Sequence, residues 1–277
     1  MIDTTVVILS AGLSPFLDRV LDATLSSARH RARIRLIWSG RTPPPPLHES
    51  VEIVVILPEE FDHGGTRSYA LGSCQTPFLV LLSDDAEPIS DQWLDGLLAP
   101  FADAHVGVVY GRHVPRAQSG IAEAVFRVTR YPSSALQLSP DSAEGRLFFP
   151  ASDANVAYRA EALRSAGGFP DSCDYGEDRI VLERLLQSGA HARYAPEGAV
   201  WHSHDLSFVG VFARGFRMGR MSRVDPQAGR FRGGTAVVFL SSMLQEAWRK
   251  YRIRGTLAVA LTFAVRTTGF LAGSLTR

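Results

Sequence analysis

Blocks of apolar and polar positions along the first hundred residues predict an α/β sheet with crossovers. Residues 5–10 (TVVILS) form an apolar run ending in a small polar residue. Ser14-Pro15 then opens a helical pattern with Phe16, Leu17, Val20, Leu21 and Leu25 on one face. Residues 34–38 (IRLIW) and 51–57 (VEIVVIL) predict two more strands, separated by a run from Pro43 to Pro46 that cannot enter either. A helical stretch to about Gln75 leads into Phe78–Pro88, FLVLLSDDAEP, whose continuous apolar start reads as a strand buried on both faces.

Further along, Trp93, Leu94, Leu97, Leu98 and Phe101 share one helical face, and Val106–Tyr110 predict another strand. Residues 111–148 are less periodic and suit a mobile region. Phe148 to Asn155 place polar residues directly behind an apolar run, before a strand at Val156–Tyr158 and a helix from about Ala160. Gly167-Gly168-Phe169-Pro170 breaks that helix, and Tyr175-Gly176-Glu177-Asp178 precedes another. Residues 192–201 (ARYAPEGAVW) predict two short strands around a turn, followed by His202-Ser203-His204. Three helical stretches, about 206–222, 235–251 and 256–272, complete the chain. The expected architecture is an α/β domain over 1–208, with halves near 1–110 and 111–208, and a helical region over 209–277.

Composition adds one asymmetry. The 45% hydrophobic and 21% charged residues are those of a chain that buries a real core. Net charge is only +1, yet residues 209–277 hold 12 Lys plus Arg against 2 Asp plus Glu, leaving 17 against 26 for the first 208. Phe212, Phe216, Met218 and Met221 interleave with Arg214, Arg217, Arg220 and Arg223, a pattern suited to an interfacial helix on anionic lipid. The apolar run Thr256–Val265 is too short to span a bilayer before Arg266. Nucleic acid is the competing use of such charge, but no nucleic-acid motif accompanies it. Cys74 and Cys173 are too few and too far apart for a disulfide framework, and Met1-Ile2-Asp3 does not open a signal peptide, so a reducing, cytoplasmic setting is expected.

The candidate chemistry sits in four places. Asp84 and Asp85, at the end of a buried strand, repel one another unless a cation lies beside them, although Asp is equally common in turns and caps. Gly64-Gly65 before a helix, with Arg67, suits close approach to an anion such as a diphosphate; a plain loop with a surface arginine is the alternative. Glu177-Asp178 at a helix start is either favourable placement at the positive dipole end or a base at a pocket mouth. His202 and His204, at alternate positions, are able to face one ion.

Taken together, EFDHGGTRSYAL followed by FLVLLSDDAEP, then FPASDANVAYRAEAL, GGFPD, YGEDRIVLERLLQSG and APEGAVWHSHDLS, resemble the family 2 glycosyltransferases of GT-A fold, and among them the bacterial rhamnosyltransferases. The resemblance covers about residues 5–222 and is specific in combination. It implies a Rossmann-like mixed sheet with helices on both faces, and an inverting, Mg²⁺- or Mn²⁺-dependent transfer of a sugar from a nucleotide diphosphate to a hydroxyl of a glycan or lipid-linked glycan. By the same resemblance Asp85 is a metal ligand with Asp84 as its neighbour, His202 or His204 is a late metal or diphosphate contact, Asp178 is the catalytic base and Glu177 its partner. Ser10, Trp38 and Arg67 fall with Asp84 on the donor side, and Asp153 and Asn155 on the sugar and acceptor side. Trp38 stands where the family usually has an aspartate, and Ser83 where its metal motif usually begins with one. The donor favoured by resemblance is dTDP-rhamnose, and the expected setting is the cytoplasmic face of the membrane. Two alternatives remain: a binding protein of this fold without turnover, and a nucleotidyltransferase, for which no Gly-rich basic loop follows Ser10.

Overall fold

The computed structural model describes residues 3–12, 14–29, 31–46, 48–142, 149–171, 173, 176–224 and 233–276; Phe148 and Tyr175 of the sequence expectations lie outside them. The described chain divides into two compact units, one of residues 1–113 and 133–202, the other of 114–132 and 203–277. This differs from a cut at residue 208, because a segment from the middle of the chain groups with the C-terminal helices.

The first unit is built on one sheet. Strands β1 (Thr4–Ser10), β2 (Ala32–Trp38), β3 (Val51–Val55) and β4 (Phe78–Ser83) are parallel, in the spatial order β3-β2-β1-β4. Helix α1 (Leu17–Ala28) connects β1 to β2 and α2 (His63–Gly72) connects β3 to β4. All seven residues of β1 are buried, as a central strand covered on both faces requires. The chain steps from β1 to β3 in one direction and then returns to place β4 on the other side of β1. That reversal leaves a crevice outside the carboxyl ends of β1 and β4, where open α/β sheets take their ligands.

Beyond β4 the sheet turns antiparallel. Strand β5 is the short Glu87–Pro88, α3 is Trp93–Leu98, β6 is Val106–Val114, and α4 (Ile121–Arg130) belongs to the second unit. Strands β7 (Leu136–Leu138) and β8 (Asn155–Arg159), helices α5 (Ala160–Ser165) and α6 (Glu177–Gln187), and strand β9 (His191–Trp201) complete the first unit. Strand β8 pairs antiparallel with β4, and the sheet continues β8-β6-β9-β5, with β7 also on β9. Residues 191–201 are one strand, not two around a turn. Pro196, which has no N–H to donate, falls between the β7 pairing at 192–194 and the β5 pairing at 200–201, so the strand changes partner where a ladder bond would be missing.

The second unit contains α4, α7 (Phe208–Val224) and α8 (Gly233–Leu275). Arg252, at φ 54 and ψ −142, interrupts α8, so the two helical stretches expected there are distinct in backbone terms. Val125, Met243, Ala247 and Val259 form the buried core of this unit. Two Gly-x-x-x-Gly pairs, Gly215/Gly219 on α7 and Gly269/Gly273 on α8, face each other. A Cβ at any of them would collide with backbone of the opposite helix, at Arg266, Phe270, Phe212 and Phe216 respectively. Such close approach through small residues is the packing mode of helices that cannot rely on water exclusion.

The expectation that Arg266 ends the apolar run needs correction. Helix α8 continues past it; the guanidinium lies 5.6 Å over the Phe126 ring and donates to Met218 Sδ at 3.2 Å. The stretch Ala236–Leu275, interrupted at Arg252, is by length and composition long and apolar enough to cross a membrane, with a mean hydropathy of 1.4 over its most apolar 18 residues.

Candidate active site

At the crevice between β1 and β4, the two adjacent carboxylates are held differently. Ser10 Oγ, at the last residue of β1, donates to Asp84 Oδ2 at 2.6 Å, and Ser14 Oγ donates to the Asp84 carbonyl at 2.8 Å. Burial pushes the Asp84 carboxyl up to about 6, against the Ser10 hydrogen bond and with help from the Asp85 charge. Asp84 is thus tied back onto β1. Asp85 points the other way, its Oδ1 3.3 Å from His202 Nε2, just past the end of β9. An anionic oxygen and an imidazole nitrogen converging at this distance form a donor pair that fits a divalent cation such as Mg²⁺ or Mn²⁺. His202 is 3% exposed, and His204 lies two residues on, in the second unit, where its N–H donates to Glu123 Oε1 at 3.0 Å.

A second acidic group assembles on the same sheet edge. Ser83 N donates to Ala154 O at 3.2 Å, which sets the residues leading into β8 beside the tip of β4. Asp153 is there, 3% exposed, with Tyr158 Oη donating to its Oδ1 at 2.5 Å and Arg67 Nε 3.2 Å from its Oδ2. Arg67 Nη2 lies 3.3 Å from Glu177 Oε1, so one guanidinium bridges the two carboxylates. Local structure explains how α2 and α6 deliver these groups. Asp62 caps α2 by accepting from Gly65 N at 2.6 Å, and its carboxylate also accepts from Cys173 N at 3.1 Å, joining the helix start to the segment before α6. Gly176, at φ 88, makes the left-handed turn that opens α6 directly on Glu177 and Asp178.

The carboxylates of this group are driven apart in acidity. Burial pushes Asp153 up to about 8, opposed by the Arg67 charge and reinforced by Glu177 and Asp178. Burial would also raise Glu177, but the His63 hydrogen bond and the Arg67 charge together hold it below the ordinary value. Asp178 is pushed up to about 6 by burial and by the Glu177 charge, against Arg179. Its Oδ1 accepts from Arg179 N at 2.7 Å. One carboxylate fixed as an anion beside another poised near neutrality is an arrangement suited to taking up a proton.

Near the carboxyl ends of β1 and β2 lies a cleft of about 290 Å³, lined by Gly12, Ser14, Asp18, Trp38, Thr42 and Pro43 among others. Trp38 is 4% exposed and its Nε1 donates to Thr42 O at 2.8 Å, so the indole is a fixed wall.

The structure therefore brings Ser10, Asp84, Asp85 and His202 together, and Arg67, Asp153, Glu177 and Asp178 together. Two residues differ from the sequence expectation. Arg67 is buried between carboxylates, so its charge is already matched. Asn155, 0% exposed, accepts from Trp93 Nε1 at 3.0 Å and donates to Gly198 O at 2.8 Å; it joins β8, α3 and β9 and presents no face to a sugar. Sequence reasoning passed over Asp18, Thr42, His63, Tyr158 and His113. Only His63 had a signal, its place in the Asp-His-Gly-Gly segment.

No family profile matches the sequence. An O-antigen chain rhamnosyltransferase of Salmonella anatum is 32% identical over 185 residues, covering 66% of this chain and 59% of that protein. A pre-mycofactocin glycosyltransferase of Mycobacterium tuberculosis is 32% identical over 187 residues, covering 66% of this chain and 38% of that protein. The chain thus spans less than two thirds of the length of these curated relatives. Among solved structures, a mannosyltransferase from Pyrobaculum calidifontis in complex with GDP-Man and Mn²⁺ superposes with a TM-score of 0.58 at 16% identity, covering 98% of this chain and 84% of that one. The S. aureus protein TarS (residues 1–349) in complex with UDP-GlcNAc gives 0.56 at 10% identity, covering 98% and 89%. The fold is that of the GT-A glycosyltransferases.

Proposed function

We propose, for this family 2-like glycosyltransferase of GT-A fold, that it moves a sugar from a nucleotide diphosphate to a glycan hydroxyl with inversion, in the synthesis of a surface polysaccharide or glycolipid. The observation that carries this reading is the pair of acidic groups on one sheet edge, Asp84-Asp85 beside Asp153 and, through Arg67, Glu177-Asp178. The donor nucleotide occupies the cleft beside Trp38, with its diphosphate toward Asp84 and Asp85. Asp85 and His202 are the residues that would hold Mg²⁺ or Mn²⁺. Such a cation, when bound, neutralises charge on the departing diphosphate.

The chain's own groups account for the remaining chemistry. The acceptor hydroxyl gives its proton to Asp178 as its oxygen bonds to the anomeric carbon and the bond from that carbon to the diphosphate oxygen breaks. Glu177, kept ionised by His63 and Arg67, maintains Asp178 near neutrality, so that it is deprotonated at pH 7 yet basic enough to accept. One displacement inverts the centre. Rhamnose from dTDP-rhamnose is the favoured donor, supported by the rhamnosyltransferase relatives. The binding-only alternative rests on Trp38, which lines the cleft without closing it.

Thermal unfolding against a panel of dTDP-rhamnose, GDP-mannose and UDP-GlcNAc, each with and without Mn²⁺, tests donor and metal together. Wild type should be stabilised most by dTDP-rhamnose with Mn²⁺. Asp85→Ala should lose that Mn²⁺-dependent stabilisation and the transfer activity with it. Transfer by Asp85→Ala at the wild-type rate would remove Asp85 from this role.

The second unit suits attachment to the cytoplasmic face of the membrane. After the break at Arg252, Ile253, Leu257, Leu261, Leu271 and Leu275 are exposed on α8, and the exposed positions between them are Arg254, Ala260, Ala264, Thr267 and Thr268. A soluble helix carries charge on that face; here charge gathers at the ends, at Arg252 and Arg254, and at Arg217, Arg220 and Arg223 on α7. Arg223 donates to Thr276 O at 2.6 Å, which brings the basic end of α7 to the end of α8. The full chain should float with vesicles containing phosphatidylglycerol and much less with phosphatidylcholine alone, and Leu257→Glu with Leu261→Glu should abolish flotation. Wild-type chain remaining with the soluble fraction on both vesicle types would reject this attachment.

A further inference from the structure

His113 lies near the end of β6, 1% exposed, and its Nδ1 is 2.8 Å from Nδ1 of His202. The ring centroids are 4.8 Å apart. A hydrogen bond between two imidazole Nδ1 atoms needs one proton and one lone pair, so the tautomers of the two rings are linked. If His113 Nδ1–H donates, a neutral His202 carries its proton on Nε2, directed at Asp85 Oδ1 3.3 Å away. If His202 Nδ1–H donates, its Nε2 is a bare lone pair facing the Asp85 carboxylate. Only the second state is a ligand pair for a cation.

We propose that His113 is the positioning residue for the metal site, accepting the Nδ1 proton of His202 so that Nε2 is bared toward Asp85. The inference rests on the reading of Asp85 and His202 as metal ligands. The exchange between states is balanced: the shared proton passes from His113 Nδ1 to His202 Nδ1, His202 loses its Nε2 proton to water, and His113 gains one from water at Nε2. Both rings stay neutral throughout. A ligating histidine whose other nitrogen is held by a partner keeps its orientation as well as its tautomer, and losing such a partner typically weakens metal binding about 10–100-fold.

The test uses the full chain. Free Mn²⁺ is followed by electron paramagnetic resonance during titration of wild type, His113→Phe and His113→Asn, with thermal unfolding as a check on folding. Histidine side-chain ¹⁵N shifts of wild type are recorded with and without Mg²⁺. Phenylalanine keeps a ring and removes the acceptor, whereas asparagine Oδ1 falls near the position of Nδ1 and restores one. His113→Phe should bind Mn²⁺ about 10–100-fold more weakly, His113→Asn should recover most of that loss, and Mg²⁺ should move His202 to the Nδ1–H tautomer. Wild-type Mn²⁺ affinity in folded His113→Phe, or an Nε2–H tautomer of His202 with Mg²⁺ bound, would overturn the role of His113 alone. If His113→Phe does not fold, the wild-type tautomer and the asparagine variant still decide. Absence of Mn²⁺ binding by wild type would overturn the metal reading and this inference with it.

Discussion

Asp178→Asn should lower kcat by about 10²–10⁴-fold, the usual contribution of a general base, while thermal unfolding stays near that of wild type. The amide keeps the carboxylate's shape, and its oxygen still accepts from Arg179 N, which donates at 2.7 Å in wild type. What it loses is the capacity to take a proton. The same assignment fixes the pH dependence. Burial and the Glu177 charge raise Asp178, Arg179 and Arg67 oppose them, and the net effect is an acidity of about 6. Below that pH the carboxyl is protonated and cannot act as a base, so kcat/KM should rise through a midpoint near 6 and level off above it. Wild-type turnover by Asp178→Asn, or an acid limb unchanged in the variant's residual activity, would place the base elsewhere.

How much of this was readable beforehand follows from where each signal resides. The tip of β4 was legible because everything that defines it is local: a continuous apolar run, then Ser83-Asp84-Asp85, in a chain whose first four strands alternate with helices or proline-rich turns. The break in α8 was legible for a similar reason, since the helical pattern lapses near Arg252. The long strand β9 was not, because Pro196 signals a turn and only the change of partner strand accommodates it. The contact between His113 and His202 depends on β6 and β9 lying side by side, 89 positions apart, and no spacing along the chain reports that. Asn155 resembled a ligand-binding residue by its motif, but its environment is set by Trp93 and Gly198, two segments that the motif does not contain.

Arg67 shows the same limit most clearly, and its replacement separates two roles. The Gly-Gly turn before it suggests an anion contact, yet in the fold its guanidinium meets Asp153 and Glu177, and its Nη1 donates to His63 O at 3.0 Å. Removing one partner of a buried ionic group costs about 3–5 kcal/mol, because the remaining charges are left without compensation. For a chain of this size Arg67→Met should therefore lower Tm by roughly 6–20 °C. The loss should also grow with pH. With the guanidinium present Glu177 is held below the ordinary value. Without it Glu177 binds its proton more tightly, and Asp153, already pushed up to about 8, does so still more. The variant is therefore least destabilised where both are protonated and increasingly destabilised as Glu177 must ionise. The Tm gap from wild type should be wider at pH 8 than at pH 5. A donor-diphosphate role predicts the opposite signature: Tm near wild type at both pH values and a raised KM for the nucleotide sugar. Arg67→Lys would not rescue the structural role, since a point charge cannot bridge two carboxylates as a planar fork does. Unchanged stability of Arg67→Met would mean that the guanidinium is not what keeps Asp153, Glu177 and Asp178 together, and the acidity assigned to Asp178 would lose its basis as well.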